Sequence, residues 1–268
     1  MEPDETVHDV LRVLRSSRGT GLTGLDARLP GGCLVPGELV VLQGATSAAK
    51  AALLRDIVAA YVAPASCGGH SLPVAFVDTR GTFDILDLAR LLEVRFASAI
   101  GACSADISKR ERAEGVEEGL SRLLVLRPEE PADLLRLLHG LRDVCSANPT
   151  MSLLVVDSMS TWHPLAMAFP RSTGPFLREA WRALDLLQRE HCIAVVATCC
   201  DASLADGGAA VAAARVCTGE HANQIVVSER SVFTAHGPHA ELRTASRPCH
   251  RLVSHQPLPT NHDDRMSR

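Results

Sequence analysis

One short arrangement constrains the fold of this chain more than any other. Residues 38–42 (ELVVL) form an apolar run that reads as a buried strand, and an apolar helix-forming run follows at 52–62. Between them lie Gln43, Gly44, Ala45, Thr46, Ser47, Ala48, Ala49, Lys50 and Ala51. Gly44 and Lys50 stand at the spacing of the phosphate-binding pattern G-x-x-x-x-G-K-[ST], between the strand and the helix that such a loop requires. In that pattern backbone N–H groups cradle phosphate, the lysine reaches the β- and γ-phosphates, and the final hydroxyl holds Mg²⁺. Here the second glycine is Ala49 and the hydroxyl position is Ala51. The question posed is whether this is a working nucleotide site or the remains of one with another use.

Composition sharpens the reading. Lys50 and Lys109 are the only lysines, and every other basic residue is arginine. A lysine is a compact point charge where arginine is a planar fork, so its placement on the loop is informative. A length of 268 residues suits one large α/β domain with a full core. With 46% hydrophobic and 22% charged residues the chain reads as globular, and a net charge of -4 argues against a wholesale polyanion-binding surface. An aromatic content of 3% leaves few platforms for stacking single-stranded bases. No run approaches the ~18 apolar residues of a membrane span. The acidic start, Met1-Glu2-Pro3-Asp4-Glu5, lacks the basic-then-apolar layout of a signal peptide. Nine cysteines occur without a C-x-x-C pair, and Cys145, Cys192 and Cys199 lie in apolar segments. They read as buried thiols of a reducing compartment, cytosol or nucleus. His236, His239, Cys249, His250 and His255 fit none of the usual zinc spacings, so no metal is expected there.

Strand signals recur at 38–42, 74–78, 123–127, 153–157 and 193–198, separated by helical patterns at 52–62, 83–99, 132–145 and 176–189. Near-continuous apolar strands alternating with helices predict an α/β fold with a mostly parallel central sheet covered by helices on both faces. Residues 223–228 and 231–235 read as a C-terminal β-hairpin. Residues 1–18, with Val7, Val10, Leu11 and Leu14 at helical spacing, predict an amphipathic helix ahead of a core over 19–256. The segment 257–268 reads as a disordered tail.

Three further segments surround the loop. Leu153 to Val156 form an apolar strand that ends in Asp157, the Walker B pattern, whose carboxylate holds Mg²⁺ in P-loop ATPases. Val77-Asp78-Thr79-Arg80-Gly81-Thr82-Phe83 follows the next strand after the loop helix, and Val195-Val196-Ala197-Thr198 closes a later one. On these residues the chain resembles the RecA-like strand-exchange recombinases of eukaryotes and archaea, over about residues 20 to 230. There the segment after the second strand reads Asp-Thr-Glu-Gly-Thr-Phe, and Gly24-Leu25-Asp26 with Gly31-Gly32 resembles the lead-in to the family's ATPase core. Phe83-Asp84-Ile85-Leu86, Leu91 to Arg95 and Leu153 to Ser160 resemble a non-filament branch, that of the X-ray repair cross-complementing protein of type two.

The resemblance implies a RecA-like P-loop core, with nucleotide phosphates held by residues 44–51, named above, and by Asp157. Departures from the family set the expected activity. Arg80 replaces the glutamate that orients the attacking water, and an arginine stays protonated at neutral pH. Ala51 offers no hydroxyl. Ala49 adds a Cβ, which costs about 1–2 kcal/mol if the loop demands a left-handed conformation there. Cys199-Cys200 replaces the family's Asn-Gln pair, whose Gln senses the γ-phosphate. The expectation is therefore a recombinase paralogue acting as an adaptor in homologous-recombination repair of double-strand breaks, with weak ATP binding, no Mg²⁺ and no catalytic residues. Its partners would be other recombinase paralogues in a hetero-oligomeric complex, its single-stranded DNA contact weak or indirect, and its compartment the nucleus. The alternatives are an active DNA-dependent ATPase of the same family, for which Lys50 and Asp157 speak, and a P-loop small-molecule kinase. Against the kinase, residues 109–112 read as a solvated helix face rather than a lid. Residues 161–174 and 201–219 stand at the family's two DNA-contacting loops; the first offers Arg171 and an exposed aromatic, Trp162, and the second carries Asp201, Asp206 and Arg215.

Overall fold

A computed structural model describes residues 17–27, 29–43, 47–101, 109–171 and 173–199, together with the backbone of 223–226, 231–233 and 242–244. The predicted N-terminal helix, the loop residues Gly44, Ala45 and Thr46, residues 201–219 and the C-terminal tail with its His and Cys residues lie outside that set.

Six strands form one sheet in the order β3-β2-β4-β5-β1-β6, with every neighbouring pair parallel. They are β1 (Leu39–Gln43), β2 (Val74–Asp78), β3 (Leu123–Leu126), β4 (Leu153–Asp157), β5 (Ala194–Cys199) and β6 (Asn223–Val226). The central strands β1, β2, β4 and β5 are apolar along nearly their whole length because helices cover both faces of the sheet there. Alternate residues divide cleanly between two cores. Val40, Leu42, Val74, Phe76, Leu153, Val155, Ala194 and Val196 meet one helix layer. Leu39, Val41, Ala75, Val77, Leu154, Val156, Val195 and Ala197 meet the other. This is the two-residue period of a strand acting on both faces at once. The architecture is an α/β RecA-like core.

The first layer holds α2 (Ser47–Val62), α3 (Ile85–Gly101) and α4 (Lys109–Ser121), through residues such as Leu53, Ile57, Leu88, Leu92 and Val116. Of these α2 is the most enclosed, buried continuously from Asp56 to Val62. The second layer holds α5 (Pro131–Ala147) and α7 (Thr173–His191), through Leu134, Leu138, Leu141, Ala180, Leu184 and Leu187. Each such leucine contributes about 1.5–3 kcal/mol by leaving water. Pro131 opens α5, where its missing N–H costs nothing, and Asp133 accepts the Glu130 backbone N–H at 3.2 Å. Arg142 and Glu190 then tie α5 to α7 at 2.7 Å.

The segment ahead of β1 is anchored by burial of Leu22, Leu25, Leu29 and Leu34 in the first core. It includes the short α1 (Thr23–Asp26), whose Asp26 accepts both the N–H and the Oγ1 hydroxyl of Thr20 at 2.7 Å. Gly31 and Gly32 follow at φ 70° and 73°, a reversal that side chains resist. The Gly24-Leu25-Asp26 and Gly31-Gly32 pairing is thus a packed, capped turn leading into the sheet. Asp56 is buried inside α2, and burial pushes its carboxyl above the ordinary range against the pull of Arg95 and Arg55. Arg95, half-buried nearby, is drawn below its ordinary value by desolvation, opposed by Asp56.

Two expectations change. The strands at 223–226 and 231–233 do not pair as a hairpin. β6 adds in parallel to β1, while β7 (Ser231–Phe233) pairs antiparallel with β8 (Leu242–Thr244). The main sheet offers β6 the unpaired edge of β1, which the local turn signal at Glu229-Arg230 does not reveal. The stretch expected as a loop at 161–174 contains a helical turn and a half, α6 (His163–Ala168), and the start of α7.

Two helical glycines make opposite predictions. A Cβ on Gly115 of α4 would stand 2.2 Å from the ring of Phe96 on α3, whereas one on Gly140 of α5 meets nothing within 4 Å. Gly140→Ala is expected to stabilise by about 1 kcal/mol through helix propensity. Gly115→Ala is expected to lose about 1–3 kcal/mol through overpacking despite the same propensity gain. Urea denaturation of both variants checks the sign of each.

Candidate nucleotide site

The site lies at the C-terminal edge of the parallel sheet, where β2, β4 and β5 end and α2 begins. β1 stops at Gln43 and α2 starts at Ser47, so Ser47 to Lys50 of the phosphate-binding pattern lie in the first turn of the helix. Gly44, Ala45 and Thr46 are outside the described residues. Ser47 is half-buried, Ala48 exposed, and Ala49 and Ala51 half-buried. Ala49 sits within α2, its methyl packed against the first core, and it has no positive φ. The left-handed strain that an alanine would suffer in a tight loop therefore does not arise: helix geometry extends through this position.

Lys50 is 3% exposed, and its ammonium donates to the Cys199 carbonyl at 2.7 Å. This ties the first turn of α2 to the end of β5, the neighbour of β1. Cys145, Cys192 and Cys199 are buried as thiols rather than disulfides.

Asp157 ends β4 at 4% exposure. One carboxylate oxygen accepts the Thr198 hydroxyl at 2.5 Å, from the end of β5. The other faces the Arg80 Nη2 at 3.7 Å, from the turn after β2. That separation is an ion contact rather than a hydrogen bond. Arg80 also donates to the Thr82 hydroxyl at 3.1 Å, while its buried Nε has no acceptor among the described residues. The Asp157–Ser158 peptide is cis. A cation and a hydroxyl donor thus surround the carboxylate, and position 51 carries a methyl group where the phosphate-binding pattern has a hydroxyl. This is a set of donors, not the oxygen ligands that Mg²⁺ requires, and the residues present do not fit that ion.

Several participants were not singled out from sequence. Thr79 is the hub between β2 and β4. Its hydroxyl receives the Ser158 N–H at 2.7 Å, donates to the Ser158 carbonyl at 2.9 Å, and lies 2.6 Å from the Thr161 hydroxyl. Its N–H donates to the Asp157 carbonyl at 2.9 Å. Asp78 pairs in register with Asp157 but serves the turn instead. Its carboxylate accepts the N–H groups of Thr82 at 3.1 Å and Phe83 at 2.9 Å, and Arg127 at 3.3 Å. An Asp closing a strand ahead of Gly-Thr-Phe is the local signal for such a turn. Thr198 had only its place at a strand end to mark it.

Trp162 is not the exposed aromatic expected of a DNA-contacting loop, because it packs half-buried against the second core. The exposed apolar side chains nearby are Leu165, Phe169 and Phe176. Arg171 is exposed, and Cys200 is outside the described residues. An open surface cavity of about 370 Å³ lies elsewhere, lined by His139, Arg142, Asp143, Ser146, Glu190 and His191 near the C-terminal ends of α5 and α7. None of the loop residues lines it, so this hollow and the candidate chemistry are separate.

No known protein-family model matches the chain. It is similar to the DNA repair protein XRCC2 of Mus musculus, 27% identical over 171 residues that make up 61% of this chain. The relationship is distant and XRCC2-like. The match spans 56% of that relative's own length. It agrees with the branch indicated by the Phe83 to Leu86, Leu91 to Arg95 and Leu153 to Ser160 segments.

If the Arg80–Asp157 contact compensates the buried carboxylate, Arg80→Glu sets two carboxylates face to face. The expected cost is about 3 kcal/mol, the lower end for breaking a buried pair, since Arg80 keeps some solvent access. Thermal denaturation in EDTA reads the loss, and an unchanged melting temperature would show that the contact is inert.

Proposed function

We propose that this chain is a RecA-fold subunit of recombinational DNA repair that acts as an adaptor, assembled with related recombinase paralogues, and hydrolyses ATP negligibly. Arg80 carries the adaptor reading. It stands where an active member of the resembled family places a carboxylate to orient water, and a guanidinium cannot take up a proton at neutral pH. Its contact with Asp157 also sets a fixed positive charge at the Walker B carboxylate. The repair assignment draws support from the similarity to mouse DNA repair protein XRCC2. A nuclear location follows from the same reading, and among the described residues no helix is long and apolar enough to cross a membrane.

Losing a positioned general base alone typically removes a factor of about 10²–10⁴ in rate. Turnover of radiolabelled ATP by the purified protein is therefore expected to stay at background, with or without single-stranded DNA. DNA-stimulated hydrolysis that Lys50→Ala abolishes would instead establish the DNA-dependent ATPase reading. Purification of the tagged chain from cells should bring RecA-like paralogues with it, and their absence would remove the adaptor role.

Direct binding to single-stranded DNA should be weak. Affinity grows with the number of cations set against phosphates, and residues 161–171 present Arg171 alone among Lys and Arg. Fluorescence anisotropy with an oligonucleotide tests this across a salt series. A tight complex of the isolated chain that survives high salt is the contrary result.

A further inference from the structure

We infer that the polyphosphate of a nucleotide binds this site without a divalent cation, the Arg80 guanidinium standing in for the metal. The inference rests on the nucleotide reading of the loop and is separate from the choice of protein partner.

Magnesium needs near-octahedral oxygen ligands at about 2.0–2.1 Å and keeps several waters. Here one oxygen of Asp157 is taken by the Thr198 hydroxyl and the other faces a guanidinium. Position 51 supplies a methyl in place of a hydroxyl. A hydrated Mg²⁺ would therefore have to sit beside Arg80 and share its carboxylate, with two like charges in close contact.

The same groups suit a bare polyphosphate. Lys50 lies in the first turn of α2, where the helix end favours anions. Arg80 is loosely held: its contact with Asp157 is 3.7 Å, its bond to Thr82 is to a neutral hydroxyl, and its buried Nε lacks an acceptor among the described residues. A planar fork of donors so placed can keep Nη2 against Asp157 while its other N–H groups meet phosphate oxygens, and charge-assisted bonds of this kind are the strong ones. Metal-free ATP also carries more negative charge than its magnesium complex, which matches a site whose local cations come from the protein. Lys50 gives its resting partner, the Cys199 carbonyl, a good hydrogen bond, so the ligand must compete for the ammonium and binding is weak.

Equilibrium titration of the full-length protein with fluorescently labelled ATP, in EDTA and again in excess Mg²⁺, tests this. Affinity in EDTA is expected to equal or exceed that in Mg²⁺, a comparison that needs no variant. Arg80→Gln should weaken binding in EDTA on the order of tenfold to a hundredfold, the worth of a hydrogen bond to a charged group. Because that variant leaves Asp157 uncompensated, the double variant Arg80→Gln/Asp157→Asn is compared with Asp157→Asn alone and should show the same ratio. Binding that requires Mg²⁺, or affinity indifferent to Arg80 in both backgrounds, overturns the replacement of metal by arginine. Absence of ATP binding in either buffer removes the nucleotide reading itself. Co-purification with a paralogue is measured independently of all three outcomes.

Discussion

A carboxylate buried at the end of a central strand is the constraint around which this sheet edge is organised. Asp157 sits between β2 and β5 with almost no solvent, and an isolated buried charge is too costly to keep. Each neighbouring strand end answers it. β5 contributes the Thr198 hydroxyl, and the turn after β2 contributes the Arg80 guanidinium. The backbone carbonyl of Asp157 is engaged as well, by the N–H of Thr79. In an enzyme of this fold the metal would supply that compensation from outside the chain. Here the chain supplies it.

The sheet makes this substitution feasible. Parallel strands in register bring the ends of β2 and β4 level, Asp78 opposite Asp157, so a side chain two residues beyond β2 reaches the carboxylate. Asp78 meanwhile fixes the turn that carries Arg80, by accepting the backbone N–H groups of Thr82 and Phe83. Two aspartates in neighbouring positions thus have different tasks. One shapes the turn, and the other is the charge that the turn's arginine meets.

Much of this was legible in the sequence, for a definite reason. Strands covered on both faces must be apolar at every position, and the runs at β1, β2, β4 and β5 carry that signature with little ambiguity. The helices between them follow from their spacing, although α2 begins earlier than its apolar run because Ser47 to Lys50 belong to its first turn. Pairing beyond residue 199 was not legible, since a local turn signal cannot compete with an open sheet edge remote in sequence. The hydroxyls of Thr79 and Thr198 were silent too, because their importance comes from strands meeting at one edge and not from their own neighbours. Trp162 differs for another reason: its place in a stretch at the position of a DNA-contacting loop suggested exposure, whereas proximity to the second core decides its burial.

Lys50 has a structural task besides the chemistry with which its position is associated. Its ammonium bonds the last carbonyl of β5 and holds the start of α2 against the strand beside its own. A buried ammonium so placed has a structural role that needs no nucleotide, and its replacement by an arginine would demand room for a planar fork in a closely packed corner. Persistence of a lone lysine at this position, in a chain otherwise built with arginine, is therefore weak evidence for hydrolysis. The stronger evidence concerns Arg80, where no comparable packing constraint excludes the carboxylate that turnover would require. Arg80 keeps partial access to solvent, and its charge is the one that faces the Asp157 carboxylate. Retained lysine and substituted glutamate thus fit one physical account, in which the sheet edge is built to be stable by itself.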